Sequence, residues 1–173
     1  MPTYLPAIAM SAWLLALCAS DLRQRRLPNA LTLGGMVVAL VWRLGMGGLT
    51  ALWSGVAGGF LCALLLIIPF FVHAAGGGDV KMLFAVGAMM GRSHVVGTLL
   101  YVSLAGLALA ALFALFGRVD RSRLVHYARC VFDWRYDRKA GRATLPPKTS
   151  EKARVPFGLA IAAGAWLEML WPL

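Results

Sequence analysis

Residues 51–75 form an uninterrupted apolar run containing no Asp, Glu, Lys or Arg, long enough to cross a bilayer with some tilt. Such a run is read as a membrane-spanning helix. It leads into Gly76-Gly77-Gly78-Asp79-Val80-Lys81, which places an acid where a membrane segment meets water or a protein-lined cavity. Glycine opens backbone conformations closed to other residues and lets a second chain come close, which suits a site that admits an extended peptide beside the acid. The same stretch also fits a flexible turn between two helices that ends in a helix-capping aspartate.

The rest of the chain has the same character. With 60% hydrophobic and only 14% charged residues, it is too apolar for a soluble domain and is read as an all-α, polytopic integral membrane protein. The net charge of +10 would suggest nucleic acid in a soluble chain. Here its sign follows position, because basic residues collect in the cytoplasmic loops of membrane proteins, and no nucleic-acid partner is expected. Cys18, Cys62 and Cys130 stand far apart, with no CxxC pair, so neither a disulfide framework nor a metal site is expected, and no cofactor is implied.

In chain order, residues 4–20 make a first apolar span with no basic residue ahead of Arg23, so it lacks the n-region of a cleaved signal peptide. Three arginines then follow Asp21, ahead of Leu27-Pro28-Asn29. Pro28 holds Leu27 extended and suits the first turn of the next helix. A second span is expected over 30–48, with Arg43 snorkelling outward beside Trp42, and a third over 51–75. Residues 80–90 would form a short helix rising only about 16 Å, roughly half a crossing, with Asp79 at its N-terminus where the helix dipole favours an anion. A turn at 91–94 precedes a clear span over 95–116, and a last span is expected over 155–171.

Residues 118–154 hold eleven of the seventeen Lys and Arg residues and are read as the main cytoplasmic loop of a single membrane-embedded domain, 1–173. Within it Leu124, Ala128, Val131 and Trp134 or Arg135 recur near helical spacing among arginines, a pattern suited to the surface of an anionic leaflet, with a partner-binding site as the alternative. About six crossings with the N-terminus outside put fifteen of the seventeen basic residues on the cytoplasmic side. In that topology Asp21 and Asp79 share the cytoplasmic boundary. The other five acids are Asp120, Asp133, Asp137 and Glu151 in the basic loop, and Glu168 near the outer end, which leaves only two for an intramembrane pair.

Two facing carboxylates cannot both ionise cheaply, so they share a proton. One can then take a proton from water while the other hydrogen-bonds a scissile carbonyl, as in aspartyl proteases. Other chemistries are poorly supplied: Cys18, Cys62, His73 and His94 form no legible Cys/His arrangement, Ser11, Ser20 and Ser54 lie in no nucleophile motif, and the glycines lack the Gly-Lys-Ser/Thr ending of a phosphate loop.

These residues resemble the type IV prepilin peptidases of the GxGD aspartyl protease group. Gly-x-Gly-Asp ends at Asp79, with Lys81 two positions on. Asp21, the basic run and Leu27-Pro28-Asn29 are similar to the family's other aspartate motif, and Pro156-Phe157-Gly158 to its Pro-Phe-Gly motif. The resemblance implies removal of the short basic leader from prepilins or pilin-like proteins at the cytoplasmic face of the bacterial inner membrane, where anionic lipids attract enzyme and leader alike. It implies Asp21 and Asp79 as the catalytic pair and Gly76, Gly77 and Gly78 as the walls of the substrate channel. Lys81 would orient Asp79 or neutralise an acidic substrate group, and Pro156, Phe157 and Gly158 would border the cleft.

Only eight residues separate Asp21 from Ala30, leaving no room for the CxxC-bearing cytoplasmic domain of many bacterial members. Peptidase activity without N-methyltransferase activity is therefore expected, as in the compact peptidases of Flp/Tad-type pilus systems, and less closely the archaeal preflagellin peptidases. Leu159 departs from the proline often found after Pro-Phe-Gly. The competing classes are a small ion-coupled transporter or channel, in which Asp79 and Lys81 would carry ions, and a non-catalytic assembly factor organised by its basic loop. No internal repeat supports the first, and the second leaves the paired acids unexplained.

Overall fold

The computed structural model describes residues 4–24, 27–71, 75–116 and 157–173, and all regular elements among them are helical. They are α1 (Tyr4–Gln24), α2 (Asn29–Phe71), α3 (Gly77–Met90), a 3-10 turn (Arg92–His94), α4 (Val95–Leu115) and α5 (Phe157–Leu170). Among the described residues three stretches are long and apolar enough to cross a membrane: Leu5–Arg23, Asn29–Ile67 and Arg92–Leu115. Large apolar side chains such as Ile8, Val38, Phe60, Leu64 and Leu107 point outward and are more than half exposed, as lipid-facing residues would be. The chain divides into two units, Met1–Leu109 with Pro156–Leu173, and Ala110–Val155; in the second only 110–116 are described, as the end of α4. The basic amphipathic segment expected within 118–154 lies outside the described residues, as do His73, Pro156, Arg25 and Arg26.

α2 is not a straight rod. Gly47 (φ −145°, ψ 20°) and Gly48 (φ 62°, ψ −155°) leave the helical conformation, and the positive φ of Gly48 is one that glycine adopts without strain. A Cβ on Gly55 would lie 3.3 Å from Cγ of Arg43 and 3.6 Å from Cδ2 of Leu40. A straight helix would hold residues 40 and 55 about 22 Å apart. The element therefore folds back on itself, and the break falls where the sequence ends one apolar run and begins the next.

α3 packs against both arms of this hairpin. Against the second arm the approach is backbone to backbone: a Cβ on Gly87 would lie 2.5 Å from the carbonyl oxygen of Gly58 and 2.7 Å from Cβ of Cys62. Small residues at such crossings let helices meet closely in a membrane, where apolar burial does not drive them together. Ala39, Ala63, Phe84 and Ala88 form the layer between the arms and α3, while Leu14, Leu17, Met82, Leu83, Val86, Val102 and Ile161 form the larger core with α1, α4 and α5. α5 runs antiparallel to α4, with Gly97 at Glu168, Val102 at Gly164 and Gly106 at Phe157. It also runs antiparallel to α1, with Ser11 bonded to Trp166 and Asp21 to Gly158.

Arg43 does not snorkel outward as its place beside Trp42 suggested. Its Nε donates to the carbonyl oxygen of Ala88 at 3.3 Å, and its guanidinium lies against Gly91, which ends α3 at φ 82°. A cation at the C-terminal end of α3 satisfies a carbonyl left without a helical partner and complements the helix dipole, which outweighs a route to the interface.

Candidate active site

α3 begins earlier than the sequence suggested. Its N-cap is Gly76, so Gly77 and Gly78 are helical and Asp79 occupies the third position of the first turn. Oδ2 of Asp79 accepts the N–H of Gly76 at 3.2 Å, the acidic half of a capping box. The glycines are thus not a flexible linker. Gly78 is small because α3 begins against the α1–α2 connection: a Cβ there would lie 2.8 Å from Cβ of Leu27.

The other acid lies just before that connection. Asp21 lies in the last turn of α1 and is 7% exposed. Its Oδ2 accepts the main-chain N–H of Gly158 at 3.1 Å, and a Cβ on Gly158 would stand 2.7 Å from that oxygen. The N–H groups in the first turn of a helix have no partner within it, and the dipole there favours negative charge, so the start of α5 is a natural seat for the carboxylate. Cys18, one turn earlier, approaches the Gly158 carbonyl oxygen at a sulfur distance of 4.0 Å.

Asn29 and Lys81 brace the two acid-bearing segments. Lys81 Nζ donates to Oδ1 of Asn29 at 2.8 Å, joining the first residue of α2 to the second turn of α3. Pro28 stands just before α2, its carbonyl oxygen accepting the N–H groups of Leu31 and Thr32 at 3.1 Å each. Trp13 Nε1 donates to the Leu31 carbonyl oxygen at 2.9 Å, holding α1 to the same turn. Residues 27–29 thus meet 76–81, and Asp21, in the turn of α1 that precedes them, meets Gly158. Beyond them a cavity of about 210 Å³ opens between α1, α2 and α3, lined by Met10, Trp13, Leu31, Gly34, Gly35, Met89 and other apolar residues.

A further acid is buried near the end of α5: Glu168 is 1% exposed, and its Oε1 lies 2.9 Å from Nδ1 of His94. The signal was present, because Gly158, Ile161, Ala165 and Glu168 follow helical spacing along one face of α5. Among the described residues no three His, Cys, Asp or Glu side chains gather as a metal cluster would require.

Helices of this length and apolarity define a helical membrane protein. The model of the type IV leader peptidase family matches residues 8–111, a span that includes both Asp21 and Asp79, and the chain belongs to that family. It is therefore a protease of the leader-peptidase kind. No curated protein and no solved structure matches the chain.

Proposed function

We propose that this protein is an aspartyl endopeptidase that removes the basic leader from prepilins or pilin-like proteins, with Asp21 and Asp79 as its catalytic pair. The observation that carries the reading is the anchoring of both acids to one connection. Leu27, six residues after Asp21, packs on Gly78, the residue before Asp79, while Lys81 bonds Asn29. In the reaction one carboxylate takes a proton from water as its oxygen bonds the scissile carbonyl carbon, and the other, protonated, hydrogen-bonds the carbonyl oxygen. Collapse of the tetrahedral intermediate breaks the C–N bond, and the leaving amine takes up a proton. The Gly158 N–H fixes the direction of the Asp21 carboxylate by bonding one of its oxygens.

The remaining residues have supporting roles. Gly76, Gly77 and Gly78 keep the approach to Asp79 narrow-walled and open to an extended peptide; Lys81, through Asn29, steadies the start of α3. Pro28 sets the entry of α2, and Pro156, Phe157 and Gly158 form the edge on the α5 side. The apolar cavity beyond Leu31 suits one or two apolar side chains of the hydrophobic segment that follows a prepilin cleavage site. The chain acts as one membrane-embedded domain with about six crossings, the two arms of α2 counting separately. Its N-terminus lies outside and the site at the cytoplasmic face of the bacterial inner membrane, beside anionic lipids. With eight residues between Asp21 and Ala30, it works without an N-methyltransferase domain, in the manner of Flp/Tad systems.

The test is direct: purified protein in liposomes, incubated with a panel of type IV and Flp-type prepilins and read by intact mass. Loss of the leader mass from at least one substrate, with no added methyl group, is the expected result. Failure to cut any of them under conditions where an established prepilin peptidase cuts its own substrate contradicts the reading.

A further inference from the structure

Far from the aspartates, the core contains a second acid. The side chain of Glu168 is 0% exposed, and it lies so close to Gly97 of α4 that a Cβ there would collide with Oε2. Among the described residues Oε2 has no hydrogen-bond partner, nor has the buried Oγ1 of Thr98, one turn beyond His94. A carboxylate withdrawn from water is costly unless its charge is compensated. The compensation within reach is a proton, carried either by His94 in an ion pair or by Glu168 itself.

The other charged or titratable groups on the adjoining elements are engaged elsewhere or face water. Arg43 lies against Gly91 and bonds Ala88, Tyr101 donates to the carbonyl oxygen of Trp171, and Arg92 is exposed. The side chain of His94 is 41% exposed, so its proton exchanges with the water at that end of the protein.

Glu168 and Gly158 share one face of α5, ten residues and therefore about 15 Å apart. Whatever seats Glu168 against α4 also sets the height and rotation of the Gly158 N–H against Asp21. We infer that His94 and Glu168 form a proton-dependent latch that seats α5 and so positions the Gly158 amide on Asp21. They are positioning residues at the end opposite the site, and the inference rests on the peptidase reading above.

The experiment uses the full chain in liposomes, with a fluorogenic peptide spanning a prepilin cleavage site added outside. Only molecules presenting the Asp21 end outward are then read. The outer buffer is held constant while the lumen, facing His94, is taken from about pH 5 to about pH 8, the range over which histidine changes charge. Wild-type cleavage is expected to fall about tenfold, the effect of one charge-assisted hydrogen bond. Glu168→Gln, neutral at every pH, and His94→Gln, milder in packing because His94 is partly exposed, should each show no dependence on lumen pH. A wild-type rate indifferent to lumen pH, or a dependence that survives in both variants, overturns the latch and leaves the peptidase reading intact.

If wild type cuts nothing, the peptidase reading fails by itself, and hydrogen exchange of residues 157–161 at constant outer pH decides the latch. Protection at Gly158 lost on raising lumen pH in wild type but kept in Glu168→Gln supports it; unchanged protection overturns it.

Discussion

The main-chain N–H of Gly158 donates to Oδ2 of Asp21 at 3.1 Å, joining the first turn of α5 to the last turn of α1 across 137 positions of sequence. The contact leaves no room for a side chain at position 158, because a Cβ would stand 2.7 Å from the same oxygen. Glycine here serves close approach, and the carboxylate gains a fixed direction from it.

Gly158→Ala should therefore displace Asp21 while leaving most of the fold in place. A displacement of about 1 Å at a reacting group costs on the order of a hundredfold in rate. Prepilin processing measured beside membrane levels checks this: normal accumulation with processing down by about that factor is expected. Processing at the wild-type rate would show that the Gly158 amide does not orient the acid.

Gly78 offers a second steric test. A methyl group there meets Cβ of Leu27 at 2.8 Å, so Gly78→Ala should destabilise the start of α3 by about 1–3 kcal/mol. Leu27→Ala retains the offending carbon and should give little relief, whereas Leu27→Gly removes it. Thermal unfolding in detergent of the single and double variants gives the coupling directly. Strict additivity between Gly78→Ala and Leu27→Gly would refute the contact.

Asp21 and Asp79, with the neighbouring Leu-Pro-Asn and Gly-Gly-Gly, stand out in the sequence because charged residues are rare in apolar runs. The break at Gly47–Gly48 falls where the sequence divides one expected span, 30–48, from the next, 51–75. What could not be read were pairings fixed by packing. Nothing local says that Asp21 will meet the amide of Gly158, that Arg43 will turn inward to the end of α3, or that His94 will be the partner of Glu168. Each depends on which faces of α1, α2, α4 and α5 meet. The start of α3 was misplaced because glycine propensity argues for a turn, while tertiary contact with Leu27 favours small residues inside a helix.

Arg43 holds the end of α3 through the Ala88 carbonyl oxygen. Arg43→Gln should lower stability by about 1 kcal/mol, the scale of one hydrogen bond to a charged group at a helix terminus. Unfolding midpoints in detergent check it, with prepilin processing at low temperature expected to stay near wild type. An unchanged midpoint would mean that the guanidinium contributes nothing there.

The closest helix crossing predicts the sharpest structural sensitivity. Gly87→Leu forces its side chain into the Gly58 carbonyl and Cys62 and should cost about 3 kcal/mol, enough to deplete the protein from membranes. Gly45→Ala, where nothing lies within 4 Å of the added carbon, is the matched control and should stay within about 0.5 kcal/mol. Immunoblots of membrane fractions distinguish the two, and equal accumulation would contradict the Gly58–Gly87 packing.

The paired-acid mechanism is tested most directly by the leader-cleavage rate of Asp21→Asn, Asp79→Asn and the double variant, each purified and confirmed folded. Asparagine keeps the shape and removes the ionisable acid. If the two act as one unit, each single change should lower the rate by at least about a thousandfold and the double change should do no further harm. A single variant that still cleaves near the wild-type rate would make that aspartate structural and contradict the mechanism.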